Sequence, residues 1–386
     1  MDEQIERLTL AVPEADLDDL RRRLAAVRWP AGRTVTDSSQ GPTEDKIRAL
    51  TEHWASTYDW RRVEAELNGW GQYRTTIDGL AIDFLHIRSP EPDALALVLT
   101  HGWPGSVLEF RRMIGPLTDP EAHGGDPRQA FHLVVPTLPG FGFSAKPAET
   151  GWGIPRIARA WVTLMDRLGH QRWGAQGGDF GAAVTDEIAK LAPPGLVGTH
   201  LNFAGFQPAP DEFADATDAE REGFASTMNF YDEHSGYWKE QATRPQTIGY
   251  SLADSPVGQA AWIYTMFQDL SGTPGDAEAS FSLDDILDDI MLYWLPNSAA
   301  SSARLYWEMA HSGWSPPATI EDPLTLPVGF TMPPHERTRR SLRQLTRRYS
   351  NIVFHSEPAA GGHFFALEQP DVLTDDLRST FAGLRH

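Results

Sequence analysis

The segment Gly177-Gly178-Asp179-Phe180-Gly181, directly after the run Arg172-Trp173-Gly174-Ala175-Gln176, limits the possible folds more than any other feature of this chain. A side chain with glycines two residues to either side has the pattern of a nucleophile elbow, a sharp turn from a buried strand into a helix. The glycines are needed because the turn is tight and neighbouring backbone leaves no room for side chains. The residue at the apex is aspartate where serine is usual, and no G-x-S-x-G occurs in the sequence. The exchange alters the chemistry. A serine needs a base before it can attack, whereas a carboxylate of ordinary pKa, about 3.9, is already ionised at neutral pH. Attack on carbon by a carboxylate makes an ester, which a second, water-activating set of groups must then hydrolyse.

The surrounding sequence supplies a matching scaffold. Ala94-Leu95-Ala96-Leu97-Val98-Leu99-Thr100 is a short apolar run without alternation that ends in His101-Gly102-Trp103-Pro104-Gly105-Ser106, which predicts a buried parallel strand opening into a loop. Phe131-His132-Leu133-Val134-Val135-Pro136 repeats the pattern before Pro139-Gly140-Phe141-Gly142-Phe143-Ser144. Further strands are predicted at 196–202, 324–330 and 351–354, and this alternation with helical stretches implies an α/β fold with a mostly parallel sheet. Residues 1–90 read as an N-terminal helical arm that closes in two strands around Asp78-Gly79, and 91–206 as the first part of the core. Residues 207–311, where the strand pattern lapses, read as an inserted helical lid, and 312–386 as the second part of the core.

Composition narrows the setting. A formal net charge of −20 argues against nucleic acid or an anionic membrane as partner. With no cysteine, disulfides and Cys-ligated metals are excluded. The first residues, Met1 to Glu6, are acidic and amphipathic rather than a signal peptide, and no apolar run reaches the roughly 20 residues of a membrane span, so a cytoplasmic protein is expected. Thirteen Trp and 18 Phe suggest an aromatic-lined cavity.

An aspartate nucleophile sets four requirements: a base to activate water, an acid to orient that base, backbone donors for the second carboxylate oxygen, and a proton donor for the leaving group. His363, in Ala360-Gly361-Gly362-His363-Phe364-Phe365, sits after the last predicted strand and fits the base, in the chain order nucleophile, acid, His. Glu336, in Pro333-Pro334-His335-Glu336, follows the preceding strand; Asp322 and Glu357 are worse placed as the acid. The backbone N–H groups of Trp103 and Phe180 are the oxyanion candidates. If the leaving group is the oxygen of a strained ring, a phenol of pKa about 10 is a far better proton donor than water. The lid offers Tyr231, Tyr237, Tyr250, Tyr264, Tyr293 and Tyr306, and spacing does not choose among them.

Taken together, these segments closely resemble the microsomal-type epoxide hydrolases of the α/β-hydrolase superfamily. The likeness runs through Arg28-Trp29-Pro30, Tyr58-Asp59-Trp60-Arg61, His101 to Ser106, Thr243-Arg244-Pro245-Gln246-Thr247-Ile248-Gly249, Met291-Leu292-Tyr293-Trp294 and Gly361 to Glu368. It implies an α/β-hydrolase fold and epoxide hydrolysis to a vicinal diol, with Asp179 as nucleophile, His363 as base and Glu336 as its acid. It also implies that Tyr237 and Tyr306 bind and protonate the epoxide oxygen, which settles the choice that spacing left open. Trp103 and Phe180 are also expected to bind substrate, and Trp238, beside Tyr237, is a candidate for shaping that side of the pocket. Pro333 stands where the family usually has an aromatic, and Phe180 stands where many relatives have Trp. A halide-binding Trp often follows the nucleophile in haloalkane dehalogenases, so Phe180 and the paired tyrosines count against that alternative, which a halide-release assay separates. A non-catalytic binding protein on this scaffold would not need His363 and Glu336 in order. The expected partners are a small, bulky or aryl epoxide and water, with no metal, nucleotide or organic cofactor. Membrane-anchored animal members carry an N-terminal apolar helix that this sequence does not show. Whether two copies pair as a homodimer is left open.

Overall fold

A computed structural model of the protein describes residues 4–206, 210–313 and 323–385. Among the described residues nine strands build one sheet: β1 (Glu6–Leu8), β2 (Gln72–Ile77), β3 (Leu80–Ile87), β4 (Leu95–Thr100), β5 (Phe131–Pro136), β6 (Trp173–Gly177), β7 (Leu196–Leu201), β8 (Val328–Thr331) and β9 (Ile352–Ser356). Their spatial order is β1-β2-β3-β5-β4-β6-β7-β8-β9. The six from β5 to β9 in that order are parallel, and β1, β2 and β3 add an antiparallel edge through the β3–β5 pair. Every residue of β4 is buried, as a continuous apolar run in a sheet covered on both faces requires.

Helices Glu14–Ala25, Glu44–Ser56 and Trp60–Trp70 form most of the arm. Their apolar residues Leu17, Leu20, Leu24, Ile47, Leu50, Trp54, Val63 and Leu67 face one continuous core shared with the sheet and lid. Each such burial stabilises by about 1.5–3 kcal/mol. The hairpin expected at Asp78-Gly79 is present, with Ile77 opposite Leu80 and both turn residues at positive φ. It joins the main sheet rather than staying with the arm's helices. The three-residue β1 is too short to leave a periodic signal. The strand expected at 324–330 is confined to Val328–Thr331, with Leu324 making only an isolated bridge to Tyr349. Pro327 has no N–H to give to a ladder.

Between β7 and β8 lie lid helices including Asp218–Asn229, Gly236–Thr243, Pro245–Asp254, Pro256–Leu270, Leu283–Trp294 and Ala299–His311. Ser282 caps the helix Leu283–Trp294 in a reciprocal box with Asp285. The same helix is tied to the core by Arg112–Asp285 at 2.9 Å and to the arm by Arg62–Asp288 at 2.7 Å. Among the described residues no helix is long and apolar enough to cross a membrane.

Candidate active site

The parallel ladder sets the site. Thr100 pairs with Gly177, so β4 and β6 end level, and the loops that follow them emerge side by side. Asp179 opens the helix Asp179–Leu191 with φ +49°, a left-handed conformation that is costly for a non-glycine residue and recurs where a side chain must be held for function. The flanking glycines are sterically required: a Cβ on Gly177 would lie 2.1 Å from the Gly181 carbonyl oxygen, and one on Gly181 1.8 Å from that of Thr100. The carboxylate is thereby aimed at the β4 loop, where the Trp103 N–H donates to Asp179 Oδ1 at 2.9 Å. A Cβ on Gly102 would sit 2.3 Å from the same oxygen, so this loop must carry glycine there for the carboxylate to fit.

Glu336 leaves the end of β8 and His363 the loop after β9, which places both at the carboxyl edge of the sheet beside Asp179. His363 Nδ1 lies 2.7 Å from Glu336 Oε2, and its Nε2 lies 3.4 Å from Asp179 Oδ2. Glu336 is buried, and the Thr338 N–H and hydroxyl approach its other oxygen at 3.3 and 3.4 Å. Burial disfavours a charged imidazole, but the two carboxylates outweigh it and hold His363 well above its ordinary 6.5. The Phe203 and Phe364 rings meet the imidazole edge-on.

Tyr237 and Tyr306 both reach this centre, their ring centroids 6.0 Å apart. Trp103 stacks on Tyr237 at 5.0 Å and meets Tyr306 edge-on at 5.6 Å, while Phe180 packs against Tyr306 at 4.7 Å. Burial and the nearby Asp179 charge raise both phenols above the usual tyrosine value, so both stay protonated. Asp179, Phe180, Tyr237, Trp238, Tyr306, Glu336 and His363 all line one cavity of about 150 Å³, whose walls include Phe203, Phe206, Phe230 and Met309. Trp103 is buried behind the tyrosines and faces a smaller void.

The other tyrosines take different places. Tyr250 is exposed, Tyr264 donates to Glu278 and Tyr293 donates to the Gly105 carbonyl. Tyr231 lines the cavity rim. Of the other acids weighed from sequence, Glu357 is exposed beside His355, and Asp322 lies outside the described residues.

Sequence reasoning missed Glu109. It lines a void of about 10 Å³, room for about one water, together with Trp103, Gly178, Asp179, Asn202 and His363. Its carboxyl fills the space a Gly105 side chain would take, 1.4 Å from that hypothetical Cβ. Burial pushes it up to about 8, with His363 opposing and Asp179 adding to the rise. No local spacing marks it, because the side chain folds back over its own loop. Among the described residues no group of three or more His, Asp or Glu side chains could hold a metal ion.

A family model described as "Epoxide hydrolase N terminus" matches residues 5–110, and one described as "alpha/beta hydrolase fold" matches 96–224. A protein of Stigmatella aurantiaca (strain DW4/3-1) named for epoxide hydrolysis is 51% identical over 376 residues, spanning 97% of this chain and 84% of its own. Epoxide hydrolase 1 of Sus scrofa is 32% identical over 99% of this chain and 89% of its own. Among solved structures, juvenile hormone epoxide hydrolase from the silkworm Bombyx mori superposes with a TM-score of 0.91 at 28% identity, covering 100% of this chain and 95% of that one.

Proposed function

The chain belongs to the epoxide hydrolase family and is an enzyme that hydrolyses epoxides; from that premise we propose that it opens the ring through a covalent ester on Asp179. Asp179 Oδ2 attacks one ring carbon, that carbon–oxygen bond breaks, and Tyr237 or Tyr306 gives its proton to the departing oxygen. The Trp103 hydrogen bond to Oδ1 favours Oδ2 as the attacking atom. His363 Nε2 then takes a proton from water, and the resulting hydroxide adds to the Asp179 carboxyl carbon. The Trp103 N–H, with that of Phe180 at the open helix end, stabilises the oxyanion until the ester bond breaks. The departing alkoxide takes the hydroxyl proton of the acid so formed, the vicinal diol leaves, and Asp179 is again a carboxylate beside protonated His363. Glu336 orients the imidazole and supports its charge. Glu109 and Asn202 seat the water against His363, a reading supported by the one-water void they share.

The observation that carries this reading is the row Glu336–His363–Asp179, at 2.7 and 3.4 Å, beneath two protonated phenols. Esterification also removes the charge on Asp179, which releases His363 from one of the two carboxylates that keep it protonated. The His363 proton passes to the phenolate that ring opening leaves, which restores the tyrosine and frees Nε2 as the base when the ester exists. The test is one turnover in heavy-oxygen water with enzyme in excess. The first diol should contain only ordinary oxygen, delivered from Asp179; immediate label in that diol would sink the ester mechanism.

The aromatic walls and modest volume of the cavity support an apolar or aryl substituent on the epoxide, with Trp238 shaping one side. Replacing Tyr237 or Tyr306 singly by Phe is expected to slow ester formation about 10²-fold, and the double change to cost far more than either, because either phenol can donate. Stopped-flow quenching of Trp fluorescence measures that step; equal rates for the double variant and wild type would remove the tyrosines from the chemistry. The reading keeps a cytoplasmic location, which fractionation of the producing cells checks.

A further inference from the structure

Glu368 takes no part in the steps above, yet its carboxylate joins the two halves of the site. Oε2 accepts the Gly272 N–H at 2.6 Å and Oε1 the Gly362 N–H at 3.1 Å. Gly272 lies just past the lid helix Pro256–Leu270, and Gly362 immediately precedes His363. Around this point the lid and the base loop meet backbone to backbone. The His363 N–H donates to the Leu270 carbonyl at 2.8 Å. A Cβ on Gly362 would lie 2.5 Å from that carbonyl oxygen and 2.6 Å from the Gly272 nitrogen. Beside it, Phe267 of the lid stacks on Phe364 with centroids 4.3 Å apart and planes at 11°. Arg112 extends the junction, donating to the Leu367 carbonyl and to Asp285 of the lid.

We propose that Glu368 is a positioning residue that clamps the His363 loop to the lid, so that the base is aligned for water activation only while the lid is seated. Burial pushes the Glu368 carboxyl up to about 7 against the pull of the Gly272 and Gly362 N–H groups, so above that pH it is an ionised, acceptor-only carboxylate that satisfies both N–H groups. A glutamine of the same shape must turn its amide NH₂ toward one of them. The kinetic consequence rests on the ester mechanism, because His363 acts only in ester breakdown.

Glu368→Gln therefore tests the clamp in two ways. Hydrogen exchange should accelerate about tenfold in both 268–275 and 360–366, with the sheet unchanged. Single-turnover kinetics should show ester formation near wild type and ester breakdown slowed by about 10–100-fold, so that the ester accumulates. Gly272→Ala, whose Cβ would lie 2.6 Å from Glu368 Oε2, attacks the same contact from the lid side and should reproduce both effects. Faster exchange on neither side or one side alone, or equal slowing of both steps, would overturn the clamp. Failure to detect an ester in any variant would fall on the ester mechanism instead, and the exchange result would still decide the clamp.

Discussion

Asp179→Ala is expected to reduce turnover by about 10⁴-fold or more while leaving the protein folded. The expectation follows from geometry. The carboxylate is held by a left-handed turn and oriented by the Trp103 N–H, and it shares the cavity with both phenols. Glu109, the carboxyl proposed to seat the water, lines the small void beside Asp179 rather than the cavity and cannot take over the attack. Water activated by His363 is a poor substitute, because the ring faces the carboxyl of Asp179 rather than a point already aligned with an epoxide carbon. Steady-state diol formation checks the loss, and residual activity within about tenfold of wild type would exclude Asp179 as nucleophile.

The same variant has a pH signature. Two carboxylates hold His363 above its ordinary 6.5 against the effect of burial, so removing one should let the ring titrate at lower pH, which an NMR titration follows directly. The sign for stability follows from linkage. A histidine raised in the folded state contributes stability that is full below its unfolded value, about 6.5, and is lost as pH rises through the folded value. The difference in stability from this ion pair should therefore be greatest on the acid side of that window and close above it.

His363→Gln is expected to separate the two half-reactions. Ester formation needs Asp179 and a phenol, neither of which is altered, so one equivalent of substrate should be consumed in a burst. Ester breakdown should then slow by about 10²–10⁴-fold, the usual contribution of a positioned base. Intact-protein mass should rise by the full mass of the epoxide, because ring opening by addition expels nothing, and peptide mapping should place the adduct on Asp179. Glu109→Gln should produce a milder form of the same behaviour, with the water seat disturbed but the base present. A His363→Gln protein that turns over repeatedly, or that never gains mass, would contradict the two-step scheme.

Much of this site could be read from the chain. The Gly177–Gly181 turn, the loop after β4 and the His363 loop were each marked by glycines next to apolar runs, because a tight turn and a close backbone approach admit few other residues. Strand order was enough to rank Glu336 above Glu357, since acid and base both had to emerge at the carboxyl edge of a parallel sheet. The tyrosines were different. Six of them occupied the lid, and only resemblance singled out Tyr237 and Tyr306; in the structure Tyr264 and Tyr293 have their own partners, Glu278 and the Gly105 carbonyl.

By itself the sequence determined the elbow, the alternation that builds the sheet, and the identity of nucleophile and base as candidates, because these depend on local turn sterics and short-range periodicity. Tertiary structure alone decided what meets across the gaps. The level ends of β4 and β6 put the Trp103 N–H on Asp179. The folding back of Glu109 over Gly105 made a water-sized void next to His363. The contact of Glu368 with Gly272 and Gly362 fastened the lid to the His363 loop. Each of these is a hydrogen bond or a void between elements distant in the chain or folded back on themselves, and no residue spacing encodes it.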